Sequence, residues 1–129
     1  VTARRGGRVR IIAKILVAED DQAVSAFVTR ALSHAGHDVV AVPDGLAALD
    51  ALAADSYELL LTDIVMPGLD GIALALKVSK EFPAMRILLM TGFSAERQRA
   101  HNLEALIHRV ISKPFTLEEI CSAVDEALA

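Results

Sequence analysis

A chain of 129 residues accommodates one domain of ordinary size, large enough for a continuous core. Apolar residues make up 53% of it and aromatic ones only 4%, so the core must be aliphatic, as in helices packed on a parallel sheet. No apolar run approaches the roughly 20 residues needed to cross a bilayer, which excludes a membrane-spanning protein and leaves no membrane partner expected. The 13 basic and 17 acidic residues are unevenly placed: Arg4, Arg5, Arg8 and Arg10 lie in a segment without any acid, leaving nine bases against 17 acids, a charge of −8.

Residues 1–11 read as a basic arm, flexible because Gly6-Gly7 interrupts it and no apolar periodicity supports it; residues 12–129 read as the folded domain. A basic arm can contact nucleic acid or an acidic partner, but a frayed tail is the plainer reading and no nucleic acid is expected. No apolar segment follows the arginines before Ile11-Ile12, which argues against a cleaved signal. The single Cys121 excludes an internal disulfide and points to a reducing, cytoplasmic location.

The run Ala13-Lys14-Ile15-Leu16-Val17-Ala18 is a buried strand ending in Glu19-Asp20-Asp21. Val24, Phe27, Val28, Ala31 and Ala35 then recur at helical spacing, and Gly36 stands where a left-handed residue would cap that helix. Asp38 to Val42 is a short strand. Pro43-Asp44-Gly45 is a turn whose Asp44 caps a helix carrying Leu46, Leu49 and Leu52. A third strand runs through Leu59-Leu60-Leu61-Thr62 to Asp63. Met66-Pro67-Gly68 leads into a helix from about Asp70, apolar around much of its circumference, that stops at Pro83. Met85 to Thr91 is the fourth strand. Ser94 to Asn102 has almost nothing to bury and predicts a short, mobile helix at most, after which Leu103, Leu106 and Ile107 lead into a fifth strand, Arg109 to Ser112. Thr116-Leu117-Glu118-Glu119 is a capping box opening the last helix, with an apolar stripe of Leu117, Ile120, Cys121, Val124 and Leu128. The pattern is five βα units, an α/β fold with a parallel five-stranded sheet and helices on both faces.

Four strand ends therefore deliver acid, acid, hydroxyl and amine. In open α/β sheets the site lies beyond the carboxyl ends of the strands, which would gather Glu19, Asp20, Asp63, Thr91 and Lys113 into one anionic pocket with a fixed cation. Hard carboxylate oxygens suit Mg²⁺, which keeps several waters and takes one or two protein carboxylates. Two carboxylates roughly 4 Å apart repel by about 4 kcal/mol at an effective dielectric of 20, so the acids need the ion or Lys113. Asp63, kept ionised, can attack phosphorus and become an aspartyl phosphate. Thr91 and Lys113 suit the phosphoryl oxygens, Gly92 leaves room beside them, and Lys113-Pro114 is a candidate cis bond.

In these residues the chain resembles the receiver domains of two-component response regulators. The matching segments are Ile15 to Asp21, Leu59 to Gly71, Met90-Thr91-Gly92 and Ser112-Lys113-Pro114-Phe115, in order over about residues 13 to 129. The resemblance implies a flavodoxin-like (βα)5 receiver fold with strand order 2-1-3-4-5, Asp63 as phosphoacceptor, and Thr91 and Lys113 as the phosphate-sensing pair. It also implies Mg²⁺ held by Asp20, Asp63 and the Val65 carbonyl, with Glu19 acting through water. Two departures stand out. Val110 occupies the place of the usual switch aromatic, and Val65 and Phe93 flank the water route to a phosphoaspartate, which predicts slow hydrolysis. A nearer likeness, carried by Leu60 to Pro67, Met90 to Phe93 and Ser112 to Phe115, is to CpdR-type single-domain regulators. It implies phosphotransfer from a histidine kinase or histidine phosphotransferase and action as an adaptor for a ClpXP-type protease.

The function expected is thus a phosphorylation-switched signalling module, not an enzyme beyond its own phosphorylation and dephosphorylation, that binds a downstream protein through the face built by the last strand and the helices flanking it. The alternatives are a pseudo-receiver that binds partners independently of phosphorylation, and an aspartyl-phosphate hydrolase. The hydrolase needs a second Asp two residues after the first, where this chain has Val65. A nucleotide or flavin binder is disfavoured because no Gly-rich loop follows the first strand.

Overall fold

The computed structural model describes residues 2–5, 8–92 and 109–129. Its main sheet has five parallel strands: β3 (Lys14–Ala18), β4 (Asp38–Val42), β5 (Leu59–Asp63), β6 (Arg86–Thr91) and β7 (Arg109–Ser112), in the order β4-β3-β5-β6-β7. β1 (Thr2–Arg5) and β2 (Arg8–Ile11) form a separate antiparallel pair. Four helices are described: α1 (Gln22–His34), α2 (Gly45–Ala54), α3 (Gly71–Glu81) and α4 (Leu117–Leu128).

Strand alternation divides the core in two. Ile15, Val17, Leu59, Leu61, Leu88 and Met90 face α1 and α4, while Leu16, Ala18, Leu60, Ile87 and Leu89 face α2 and α3. A strand covered on both faces reads as a continuous apolar run, which is why Leu59-Leu60-Leu61 carries no polar interruption and is wholly buried. Each such leucine contributes about 1.5–3 kcal/mol by leaving water.

Helix starts follow their caps. Asp21 accepts from the amides of Ala23 and Val24, Asp44 from Ala47 and Asp70 from Ala73. Thr116 and Glu119 make the reciprocal capping box, at 3.1 and 2.9 Å. Gly36 has φ of 104°, the left-handed turn after α1, with the His37 amide donating to the Leu32 carbonyl.

Within the basic N-terminal segment β1 and β2 pair in register Thr2↔Ile11 to Arg5↔Arg8, and Ile11 packs on the apolar cluster beneath α1 and α4. Leu117 does not join the buried stripe of α4; it is 46% exposed, and Ala123 and Ala127 take part instead. The helix expected between Ser94 and Asn102, the apolar lead at Leu103, Leu106 and Ile107, and Phe93 all lie outside the described residues.

Candidate functional site

The parallel order puts the ends of β3, β5, β6 and β7 on one edge. Asp63 closes β5 and is almost completely buried; its Oδ1 accepts from the Ile64 amide at 3.0 Å. Glu19 follows β3, is 2% exposed, and accepts from the Asp21 amide through Oε2 at 3.0 Å. Asp20, the next residue, is exposed. One carboxylate oxygen from each of Glu19, Asp20 and Asp63 lies within 4.8 Å of the others. Asp21 turns away to cap α1, so the third acid of that run serves the backbone and not the pocket.

Lys113 crosses into this group from the end of β7. Its Nζ donates to Glu19 Oε1 at 2.6 Å and stands 3.2 Å from Asp63 Oδ1. The Lys113-Pro114 peptide is cis, as the dipeptide suggested, and the Lys113 amide donates to the Thr91 carbonyl at 2.8 Å. Thr91 is the buried last residue of β6, in register with Ser112 and next to the end of β5. A Cβ built on Gly92 would meet nothing within 4 Å, so the space expected beside the threonine is open.

The electrostatics follow from burial against pairing. Burial pushes the Glu19 carboxyl above its usual range; the Lys113 and Asp21 hydrogen bonds oppose this, and the Asp63 charge adds to it. Burial would lower Lys113, but the hydrogen bond to Glu19 and the charges of Asp63 and Glu19 outweigh it and hold the ammonium above its ordinary value. With two carboxylates against one ammonium, Lys113 is charged at neutral pH. The site is a net anionic pocket of hard oxygens, a donor set that fits Mg²⁺ better than a softer metal.

The response regulator receiver domain model matches residues 15–125. The chain belongs to that family. It is 36% identical over 115 residues to the response regulator receiver protein CpdR of Brucella abortus, covering 89% of this chain and 96% of that protein. Among solved structures, NtrX of Brucella abortus superposes with a TM-score of 0.84 at 27% identity, over 92% of this receiver but only 27% of that chain. A CheY-like receiver domain protein of Methanospirillum hungatei gives the same TM-score at 24% identity, with 92% and 94% covered, and shows the shared fold. A receiver is a signalling domain, and receivers work with histidine kinases or phosphotransferases and with downstream proteins. Among the described residues no helix is long and apolar enough to cross a membrane.

Val65, two residues past Asp63, is 46% exposed at the rim. Val110 is half-buried in β7 and packs on the apolar cluster beneath α2 and α3. Two glycines of this receiver carry structural roles that sequence patterning did not single out. A Cβ on Gly71 would lie 2.0 Å from the Asp63 carbonyl oxygen, and one on Gly45 2.4 Å from the Leu69 carbonyl oxygen. Only glycine lets α3 begin against the end of β5, where the Gly71 amide donates to the Ile64 carbonyl at 2.8 Å. The signal in the sequence was a glycine right after a capping aspartate, which by itself does not say what approaches it.

Proposed function

We propose that this receiver accepts a phosphoryl group on Asp63 in a Mg²⁺-dependent phosphorelay and switches a protein–protein interaction in response. The observation that carries the reading is the Lys113 ammonium set between Glu19 and Asp63, with the Asp20 carboxylate beside them. An Asp63 carboxylate oxygen would attack phosphorus in line. The new O–P bond forms as the donor's bond to phosphorus breaks, and the leaving group departs with that electron pair. Asp20, Asp63 and the Val65 carbonyl would hold Mg²⁺, with Glu19 acting through water, and the ion would neutralise charge on the phosphoryl oxygens. Lys113, already poised 3.2 Å from Asp63, would pair with one phosphoryl oxygen, and the Thr91 hydroxyl would donate to another. Val65 would shield the acyl phosphate from water.

The likeness to CpdR, which extends over nearly the whole of that protein, supports action as a single-domain regulator fed by a histidine kinase or phosphotransferase and serving a ClpXP-type protease. Val110 in place of a switch aromatic means that any rearrangement on phosphorylation proceeds without a rotating ring at that position.

Incubation with Mg²⁺ and a small phosphodonor, followed by intact mass, tests the acceptor chemistry. Wild type gains one phosphoryl group and Asp63→Ala gains none. Equal labelling of both proteins, or of neither, overturns the reading, and the second result favours a phosphorylation-independent binding module.

A further inference from the structure

α2 is a surface helix without a polar face. Of its residues, Gly45–Ala54, only Asp50 has a polar side chain. A surface helix ordinarily turns polar residues away from the core, and one that is apolar all round is covered on every side. Here the sheet covers one side only. Gly45, Ala48 and Leu52 are buried against it, while Leu46, Asp50, Ala53 and Ala54 on the opposite side are exposed. Leu46, at 59%, is the most exposed large apolar side chain among the described residues.

The face continues beyond the helix. A Cβ on Gly68, which has a φ of 75°, would stand 3.7 Å from Leu46 Cδ1, and the close approach of Gly45 to the Leu69 carbonyl ties the same helical turn to the loop between β5 and α3. Val65, Pro67 and Gly68 of that loop are exposed, which extends the apolar surface towards the acceptor edge. Its charge has one sign. Residues 38–76 contain seven acids and no lysine, arginine or histidine. Asp44 and Asp70, the caps of α2 and α3, border the surface, and Asp50 stands one turn along from Leu46.

From this apolar face bordered only by acids, we propose that α2 and the loop after Asp63 form a docking surface for a basic amphipathic helix of a partner protein. The side of a helix offers no unpaired backbone donor or acceptor, so a segment lying across it must satisfy its own backbone, as a helix does. The partner's apolar stripe would cover Leu46, and lysines or arginines beside the stripe would meet Asp44, Asp50 and Asp70. A second copy of this chain is the poorer occupant, because a two-fold contact through α2 sets Asp44 and Asp50 against their own equivalents. The surface lies across the sheet from α4, and docking there involves no phosphoryl chemistry.

Fluorescence anisotropy of the full chain, without Mg²⁺ or phosphodonor, tests this with a labelled helical peptide of roughly 18 residues that carries a leucine stripe flanked by lysines. Wild type should bind it saturably, with affinity falling as salt rises from about 50 to 300 mM. Leu46→Ser should weaken binding about tenfold, the scale for one leucine leaving water. Asp50→Asn should weaken it about threefold and flatten the salt dependence. Leu117→Ser removes a leucine of similar exposure that stands beside Glu118 and Glu119 on α4, and should leave binding unchanged. Far-ultraviolet circular dichroism and melting temperature report that each variant is folded. Absence of saturable binding by wild type overturns the proposal, and so does an equal loss from Leu117→Ser. Equal binding of a scrambled peptide without the stripe would reduce the effect to net charge, and equal binding of the peptide with glutamate for lysine would remove the basic partner. A dimer seen by light scattering and abolished by Leu46→Ser would make a second copy the occupant and overturn the assignment.

Discussion

The two ends of β3 hold the same chemical pairing, a lysine against carboxylates, in opposite settings. At the N-terminal end Lys14 pairs with Asp55 at the surface and lies over the Tyr57 ring. At the other end Lys113 reaches Glu19, whose side chain is fully buried, and Asp63, which is nearly so. Exposed pairs are screened and contribute little. A buried group cannot lose its partner without leaving an uncompensated charge in a low dielectric. The same two atom types thus make a surface ornament at one edge and a poised site at the other, and burial is the variable that separates them.

The largest expected break in that contrast comes from the backbone packing that supports the buried end. Gly71→Ala would place a Cβ 2.0 Å from the Asp63 carbonyl oxygen, with further backbone atoms at 2.8 and 2.9 Å. No side-chain rotation relieves a clash with main chain, so α3 must shift, at a cost of about 3 kcal/mol. The urea midpoint should fall accordingly, and phosphoryl acceptance on Asp63 with it. Gly92→Ala, whose Cβ meets nothing within 4 Å, should leave the midpoint almost unchanged. A Gly71→Ala protein as stable as wild type would show that α3 does not depend on this close approach.

Next is Lys113→Met, which keeps the apolar stem and removes the charge. Phosphoryl acceptance should slow by about a hundredfold, the scale for losing one group that stabilises transition-state charge. In the absence of Mg²⁺ the variant should lose about 2 kcal/mol at neutral pH. The sign with pH follows from Glu19. Its folded value is already raised, so this group favours the fold below its ordinary value of 4.5 and loses that contribution as pH rises through the higher folded value. Lys113 opposes that rise, so removing it widens the loss at neutral pH and leaves little difference under mildly acid conditions. Melting curves of both proteins at pH 7 and near pH 4.5 measure it; a gap that grows on acidification would contradict the assignment.

A smaller effect is expected at the rim. If Val65 shields the phosphoryl group, Val65→Asn should shorten its lifetime several-fold, about 1 kcal/mol in the hydrolysis barrier, without changing the fold. Decay of the labelled mass with time reads it directly. Loss of the wild-type label within seconds in Mg²⁺ buffer would remove the argument for shielding.

The smallest effect belongs to the exposed pair. The Asp55 carboxyl is held below its ordinary value by the Lys14 hydrogen bond, and Lys14 above its own by the same contact. Its contribution is therefore present at neutral pH and lost as pH falls through the Asp55 value or rises through the Lys14 value. Lys14→Met should move the melting temperature by no more than about a degree at pH 7. A shift comparable with that of Lys113→Met would mean that burial does not separate the two ends of the strand.

Residue by residue, the sequence was most informative where structure is local. The ends of β4 and β7, the capping roles of Asp44 and Thr116, and the left-handed Gly36 follow from backbone preferences over three or four residues. So does the double-sided burial of Leu59-Leu60-Leu61, because a run without alternation has no polar face to leave in water. The placement of Glu19, Asp20, Asp63, Thr91 and Lys113 at or just past strand ends was also legible, since each follows or closes such a run.

What tertiary structure alone decided is which of these groups meet, and how dry the meeting place is. Lys113 and Glu19 are 94 residues apart in the chain, and their 2.6 Å contact exists because parallel crossovers bring the ends of β3 and β7 to one edge. The approach of Gly71 to the Asp63 carbonyl, the diversion of Asp21 to a helix cap, and the exposure of Leu117 where Ala127 is buried depend likewise on how helices settle on the sheet. The pairing of β1 with β2 was not legible either, because a polar strand pair has no hydrophobic period to announce it. Periodicity and caps are written in short-range backbone sterics and hydrogen bonding, whereas burial is a property of the assembled layers, and burial turns four ordinary strand ends into one charged pocket.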